Sequence, residues 1–220
     1  MSGIPGLATA ADYSEAMGVA RRAKSVIALI LLLMLIVQLG LFFLIRYDVV
    51  PIAEATGATT QPTDATAKVG DVMHFVTGVS LLGGIGLGIV LAMLLMLIAH
   101  IMLVGRLIGV GKVTGSLVWC FILIVFLFPW QTFMNNVDMT NGDFRIPGVL
   151  WTWGELLSRV HFDSEFKDDN WATVILSWFR FVGAPLAAIV ITLLIQLKSN
   201  RGIKMAMGED EVLNEMMQQQ

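Results

Sequence analysis

The chain has 220 residues, of which 56% are hydrophobic and 14% are charged, and its mean hydropathy is +0.78. An ordinary soluble domain carries roughly 25% charged residues, so this composition excludes a large soluble core and indicates a protein that is embedded in lipid. The net charge of -3 is small and the Lys and Arg residues form no basic stripe, which argues against nucleic acid binding.

Four apolar blocks predict an all-α membrane protein, a four-transmembrane-helix bundle. The first block would form a helix of about 31 Å, which matches a hydrocarbon core of about 30 Å. A cleaved signal peptide is the alternative for this block, but its apolar part is longer than the roughly 7 to 15 residues expected of one. The predicted spans are residues 25–45, 72–103, 113–130 and 172–197, with tails at 1–24 and 198–220.

The positions of Lys and Arg predict that both termini are cytoplasmic, because basic residues near span ends are retained on that side. Eight lie on the side of the N-terminus: Arg21, Arg22, Lys24, Arg106, Lys112, Lys198, Arg201 and Lys204. Five lie on the opposite side: Arg46, Lys68, Arg145, Arg159 and Lys167.

The loop between the third and fourth spans contains a pattern typical of a short amphipathic helix. Pro147 stands where a first helical residue is favoured, and polar residues occupy the opposite face. Two placements remain open, one flat in the outer membrane interface and one packed against the span ends. The apolar residues recur at steps of three and four: Val149, Leu150, Trp153, Leu156, Leu157 and Val160.

Arg180 is the most informative residue within a span, because an intramembrane ionisable group is a functional candidate by default. Gly183 and Pro185 follow it closely and are expected to kink the helix and free backbone carbonyls near the guanidinium. Arg180, Gly183 and Pro185 are therefore a candidate ligand or ion site. The alternative is an Arg180 that snorkels to the interface or forms a structural ion pair.

The second span carries small residues at every fourth position, a pattern that lets two helix backbones approach closely. This face is predicted to pack against another span of the chain or against another subunit. Gln38, within the first span, is expected to hydrogen-bond across such an interface. The small residues are Ser80, Gly84, Gly88 and Ala92.

The three histidines are weak candidates for a metal or haem. His74 and His100 are 26 residues apart, about 39 Å along one helix, so they cannot share a ligand. A pair of His74 and His161 at the outer face is geometrically conceivable, and interfacial or hydrogen-bonded structural roles are the alternative.

The predicted spans show no catalytic triad and no phosphate loop, and they contain no acid. We therefore favour a non-enzymatic protein without a cofactor over an enzyme. The first hypothesis is a structural or accessory subunit of a membrane assembly, whose partners are the lipid bilayer and either other membrane subunits or further copies. A small transporter or channel that uses Arg180 and a kinked fourth helix is the alternative. A haem- or quinone-linked anchor is the third hypothesis.

Overall fold

The structure, a computed structural model, describes residues 10–47, 49, 64–130, 148–159 and 171–208. Over these residues the regular elements are all helical. They are α1 (Ala10–Arg46), α2 (Asp64–Val104), α3 (Val110–Leu127), α4 (Trp153–Arg159), α5 (Trp171–Trp178), a π-helical turn (Phe179–Gly183) and α6 (Ala184–Ala206).

Four helical stretches are long and apolar enough to cross a membrane, which confirms the predicted fold class. The helices extend beyond the predicted spans: α1 begins at Ala10, within the predicted tail, and α2 begins at Asp64, before the second predicted span. The side on which each terminus lies stays a prediction from the basic residues. The four stretches are Ser14–Arg46, Lys68–Val104, Val110–Leu127 and Val174–Ala206.

The described residues divide into two compact units, each containing segments of all four long helices. Unit 1 is drawn from Met1–Ile30, Ile89–Ile122 and Ile191–Gln220, and unit 2 from Leu31–Gly88 and Leu123–Val190. The two units are described separately below.

Unit 1 has an apolar core to which α1, α2, α3 and α6 all contribute. The turn between α2 and α3 contains two residues with positive φ, Arg106 at 50° and Gly109 at 98°. An added Cβ at Gly109 would lie 2.6 Å from the carbonyl oxygen of Gly202 in α6, so glycine is required by both conformation and space. The core residues are Met17, Ala20, Ile98, Met102, Val113 and Ile203.

Unit 2 has a core built around stacked aromatic side chains. The rings of Phe42 and Phe181 lie parallel, with centroids 5.1 Å apart, and Trp151 lies 6.2 Å from Phe181. Residues of α1, of α4 and its preceding segment, and of the fourth span therefore share one core. Its buried members are Leu41, Phe42, Ile45, Trp151, Trp153, Leu156, Val174 and Phe181.

The loop between the third and fourth spans forms a shorter helix than its apolar pattern predicts. Helix α4 begins at Trp153 and not at Pro147, because the Thr152 side chain accepts a hydrogen bond from the backbone N–H of Glu155 at 3.3 Å. This contact is the first half of a capping box. Trp153 and Leu156 belong to the core of unit 2, whereas a position in the membrane interface stays a prediction.

The small-residue face of α2 packs within the chain. An added Cβ at Gly84 would lie 3.1 Å from the Leu150 side chain, and one at Gly88 would lie 3.3 Å from Leu127 of α3. Ser80 and Ala92, the other members of the pattern, are also buried. Packing of this face against another subunit stays a prediction.

Replacing Gly88 with Leu is expected to lower the free energy of unfolding by about 1 to 3 kcal/mol, because the new side chain overpacks this contact. Gly86 is the matched control, since it is exposed and an added Cβ there meets nothing within 4 Å. Reversible unfolding in detergent micelles measures both variants, and equal losses for Gly86→Leu and Gly88→Leu would contradict the packing role.

Candidate functional site

Arg180 lies in the π-helical turn of the fourth span. The backbone N–H of Ala184 bonds to the carbonyl of Phe179, the spacing that defines a π-helix. Pro185 has no N–H to donate and its ring conflicts with the preceding turn, and a π-bulge is one way in which a helix accommodates such a break. An added Cβ at Gly183 would lie 2.9 Å from the Phe179 ring, so a larger residue there would require that ring to move.

The Arg180 guanidinium is buried and forms an ion pair with Glu155 of α4. Nη2 lies 2.8 Å from Oε1 and 3.0 Å from Oε2, and Nε lies 3.0 Å from Oε1. The two side chains are 7% and 9% exposed, so solvent screens the pair weakly. This fork-shaped contact is the geometry for which a guanidinium is suited.

Arg180 also donates to two backbone carbonyls of the segment that leads into α4. Nη1 donates to Gly148, and Nη2 lies 3.5 Å from the Leu150 oxygen. Gly148 itself passes close to the Phe128 carbonyl, with no room for a Cβ. All three guanidinium nitrogens therefore have an acceptor from this chain, and an anionic ligand would have to displace Glu155.

Two other polar side chains in unit 2 are buried without a hydrogen-bond partner among the described residues. Both amide atoms of Gln38 and the indole nitrogen of Trp151 are in this position. Each unpaired buried group costs about 1 to 3 kcal/mol. The predicted hydrogen bond of Gln38 to a neighbouring helix is thus not formed within the described part of the chain.

Unit 1 contains a second buried cation, Lys24 of α1, whose side chain is fully buried. Its ammonium donates to the Ser199 hydroxyl at 2.5 Å and to the Asn200 side-chain oxygen at 2.7 Å, both in α6. The amide of Gln196 donates to the Lys24 backbone carbonyl at 3.4 Å. These three contacts hold α1 against α6.

The histidines do not form a site within the described residues. His74 and His100 are both exposed, and His161 lies outside the described residues. His100 and Thr114 contribute the polar groups to an open groove of about 500 Å³ in unit 1, which is otherwise lined by apolar side chains of α2 and α3 such as Met93 and Met96. Over the described ranges, no cluster of three His, Cys, Asp or Glu residues could hold a metal ion.

Sequence reasoning identified Arg180 but missed its partner. Glu155 lies on the polar face of the predicted loop helix and Lys24 is one of the basic residues near a span end, and neither pattern predicts a partner. The capping pattern from Thr152 to Glu155 is the one sequence signal that places the start of α4 and hence the Glu155 carboxylate. Nothing in the sequence pairs Lys24 with Ser199 and Asn200.

Comparisons with protein family models, with curated proteins and with solved structures find no match to this chain. The structure therefore identifies a class of membrane protein, and no family is assigned. The chain is a multi-pass helical membrane protein, with four helices that contact the lipid bilayer.

Proposed function

We propose that the chain is a non-enzymatic structural or accessory component of a membrane assembly, which acts by associating with other membrane proteins or with further copies of itself. The observation that supports this proposal is that both buried cations bind groups of the chain itself. Arg180 binds Glu155 and two backbone carbonyls, and Lys24 binds Ser199 and Asn200. Both cations hold segments of the chain together.

The alternative function, a small transporter or channel, uses Arg180 as its anion site. In that mechanism the guanidinium must release Glu155 to receive a substrate, which leaves the carboxylate buried and unpaired. Removing one partner of a buried ion pair costs about 3 to 5 kcal/mol, and binding of the anion would have to offset that cost. Internal contacts at Arg180 therefore support the structural role.

The groove of unit 1 is the surface that we assign to association. Methionine side chains fill irregular shapes and are frequent at adaptable binding surfaces, and Met93 and Met96 are 66% and 64% exposed. The groove is lined by residues of α2 and α3 and is open on one side. A helix of a partner protein can therefore lie along it.

The proposal is tested by extracting the full chain from its native membrane in polymer nanodiscs and measuring the protein mass of the particles. We expect a reproducible mass above that of one 24.1 kDa chain.

Met96→Trp is expected to release the partner because the indole fills the groove. Leu29→Trp is the control, since Leu29 is equally exposed on α1, at 67%. Particles that contain one chain and no other protein would contradict the proposal.

A further inference from the structure

The contact between Lys24 and α6 brings together two groups of basic residues that are far apart in the sequence. Lys24 bonds to Ser199 and Asn200, so the parts of α1 and α6 that carry these residues lie side by side. We call the resulting set the α1/α6 basic cluster. Its members are Arg21, Arg22, Lys24, Lys198, Arg201 and Lys204.

The cluster has a strong excess of positive charge. Residues 10–30 and 191–208, the described parts of α1 and α6 in unit 1, contain these six cations and two acids, Asp12 and Glu15. Lys24 itself is fully buried against neutral acceptors. Among the residues described, no acidic side chain lies within ion-pair distance of its ammonium.

The cluster also lies at the predicted edge of the bilayer. The first apolar block begins at residue 25 and the fourth ends at residue 197, so Lys24 and Lys198 flank the two spans at the same end. Lipid phosphates are found at this level of a membrane. Arg22 and Arg201 are exposed and can reach such phosphates with their guanidinium groups.

We infer that the cations of the α1/α6 basic cluster other than the buried Lys24 bind the headgroup of an anionic phospholipid. A group of four to eight Lys and Arg residues next to a transmembrane helix attracts anionic lipids. A guanidinium binds phosphate with two parallel hydrogen bonds. A zwitterionic lipid carries the same phosphate, but its quaternary ammonium is repelled by the cluster, so the charge excess selects a lipid with net negative charge.

The test titrates the delipidated full chain, in a neutral detergent, with phosphatidylglycerol or with phosphatidylcholine and counts bound lipids by native mass spectrometry. We expect the unmodified chain to prefer phosphatidylglycerol and the preference to weaken as salt is raised. The double variant Arg22→Gln, Arg201→Gln should lose about 25-fold in apparent affinity for phosphatidylglycerol, at about fivefold per cation. Its affinity for phosphatidylcholine should not change.

Lys68→Gln is the matched control, because it removes an exposed cation from the opposite end of a predicted span. Arg22 and Arg201 are exposed, so unchanged helicity and melting temperature of the double variant are expected in neutral detergent. The four acids at 209–220 are present in every variant, so differences between the variants do not arise from them. Equal affinity for the two lipids, or an equal loss in the control, overturns the inference.

Discussion

Replacing Arg180 with Leu is expected to lower the free energy of unfolding by about 3 to 5 kcal/mol, the cost of leaving one partner of a buried ion pair alone. Glu155 would keep its buried carboxylate without a cation, and the carbonyls of Gly148 and Leu150 would lose their donor. Reversible unfolding in mixed detergent micelles, followed by tryptophan fluorescence, measures the loss. Lys68→Leu removes an exposed cation and is expected to change stability by less than about 0.5 kcal/mol.

A double-mutant cycle separates the ion pair from the packing of the long side chain. Glu155→Leu alone leaves the guanidinium unpaired and should also destabilise the protein. The double variant Arg180→Leu, Glu155→Leu should be more stable than the sum of the two losses predicts, since residues in direct contact show coupling of about 0.5 to 3 kcal/mol. Strictly additive losses would show that the two side chains do not interact in solution.

The fold class follows from the sequence because lipid imposes a simple rule. Every backbone polar group within the hydrocarbon needs an internal partner, so a long apolar block must be a helix. The ends of the helices do not follow from this rule. Beyond the predicted spans, α1 continues back to Ala10 and α2 back to Asp64, where ordinary helix propensity and tertiary packing decide the boundary.

The segment before α4 shows how a tertiary contact overrides a periodic pattern. Val149 and Leu150 fit the apolar face of a helix, yet they precede the helix in the structure. The backbone N–H of Val149 donates to the Phe126 carbonyl at 2.9 Å, and Arg180 bonds to the carbonyls on either side. A helix starting at Pro147 would have used the two carbonyls internally, whereas the Val149 N–H, in its first turn, would have had no partner within the helix. Their external partners explain why the helix starts later.

The candidate site was predictable in part. The sequence shows an arginine within an apolar block, and an ionisable residue in such a position is a candidate for function. Its partner Glu155 is 25 residues away, and no local pattern encodes a contact over that distance. Lys24 precedes the first apolar block, and its sequence position indicates only a basic residue near a span end. Its contact with Ser199 depends on the pairing of α1 with α6.

Replacing Gly109 with Ala is expected to lower the free energy of unfolding by about 4 kcal/mol, through two separate effects. The backbone at this position has φ of 98°, a conformation that costs an L-residue about 1 to 3 kcal/mol. The new methyl group would lie 2.6 Å from the Gly202 carbonyl, and because that atom belongs to the α6 backbone, relief requires a helix to shift, at about 1 to 3 kcal/mol.

Two further glycines make the Gly109 result interpretable. Gly111 lies in the first turn of α3, where an added Cβ meets nothing within 4 Å, so Gly111→Ala should be neutral or raise stability by up to about 1 kcal/mol. In Gly202→Ala the new methyl group would lie 2.8 Å from the Val113 side chain, at a position without a positive φ. The stability of this variant should fall between those of the other two. Unfolding in micelles at constant detergent composition ranks the three variants. If Gly109→Ala is as stable as Gly111→Ala, α6 does not approach the α2–α3 turn as closely as the Gly109 and Gly202 contact requires.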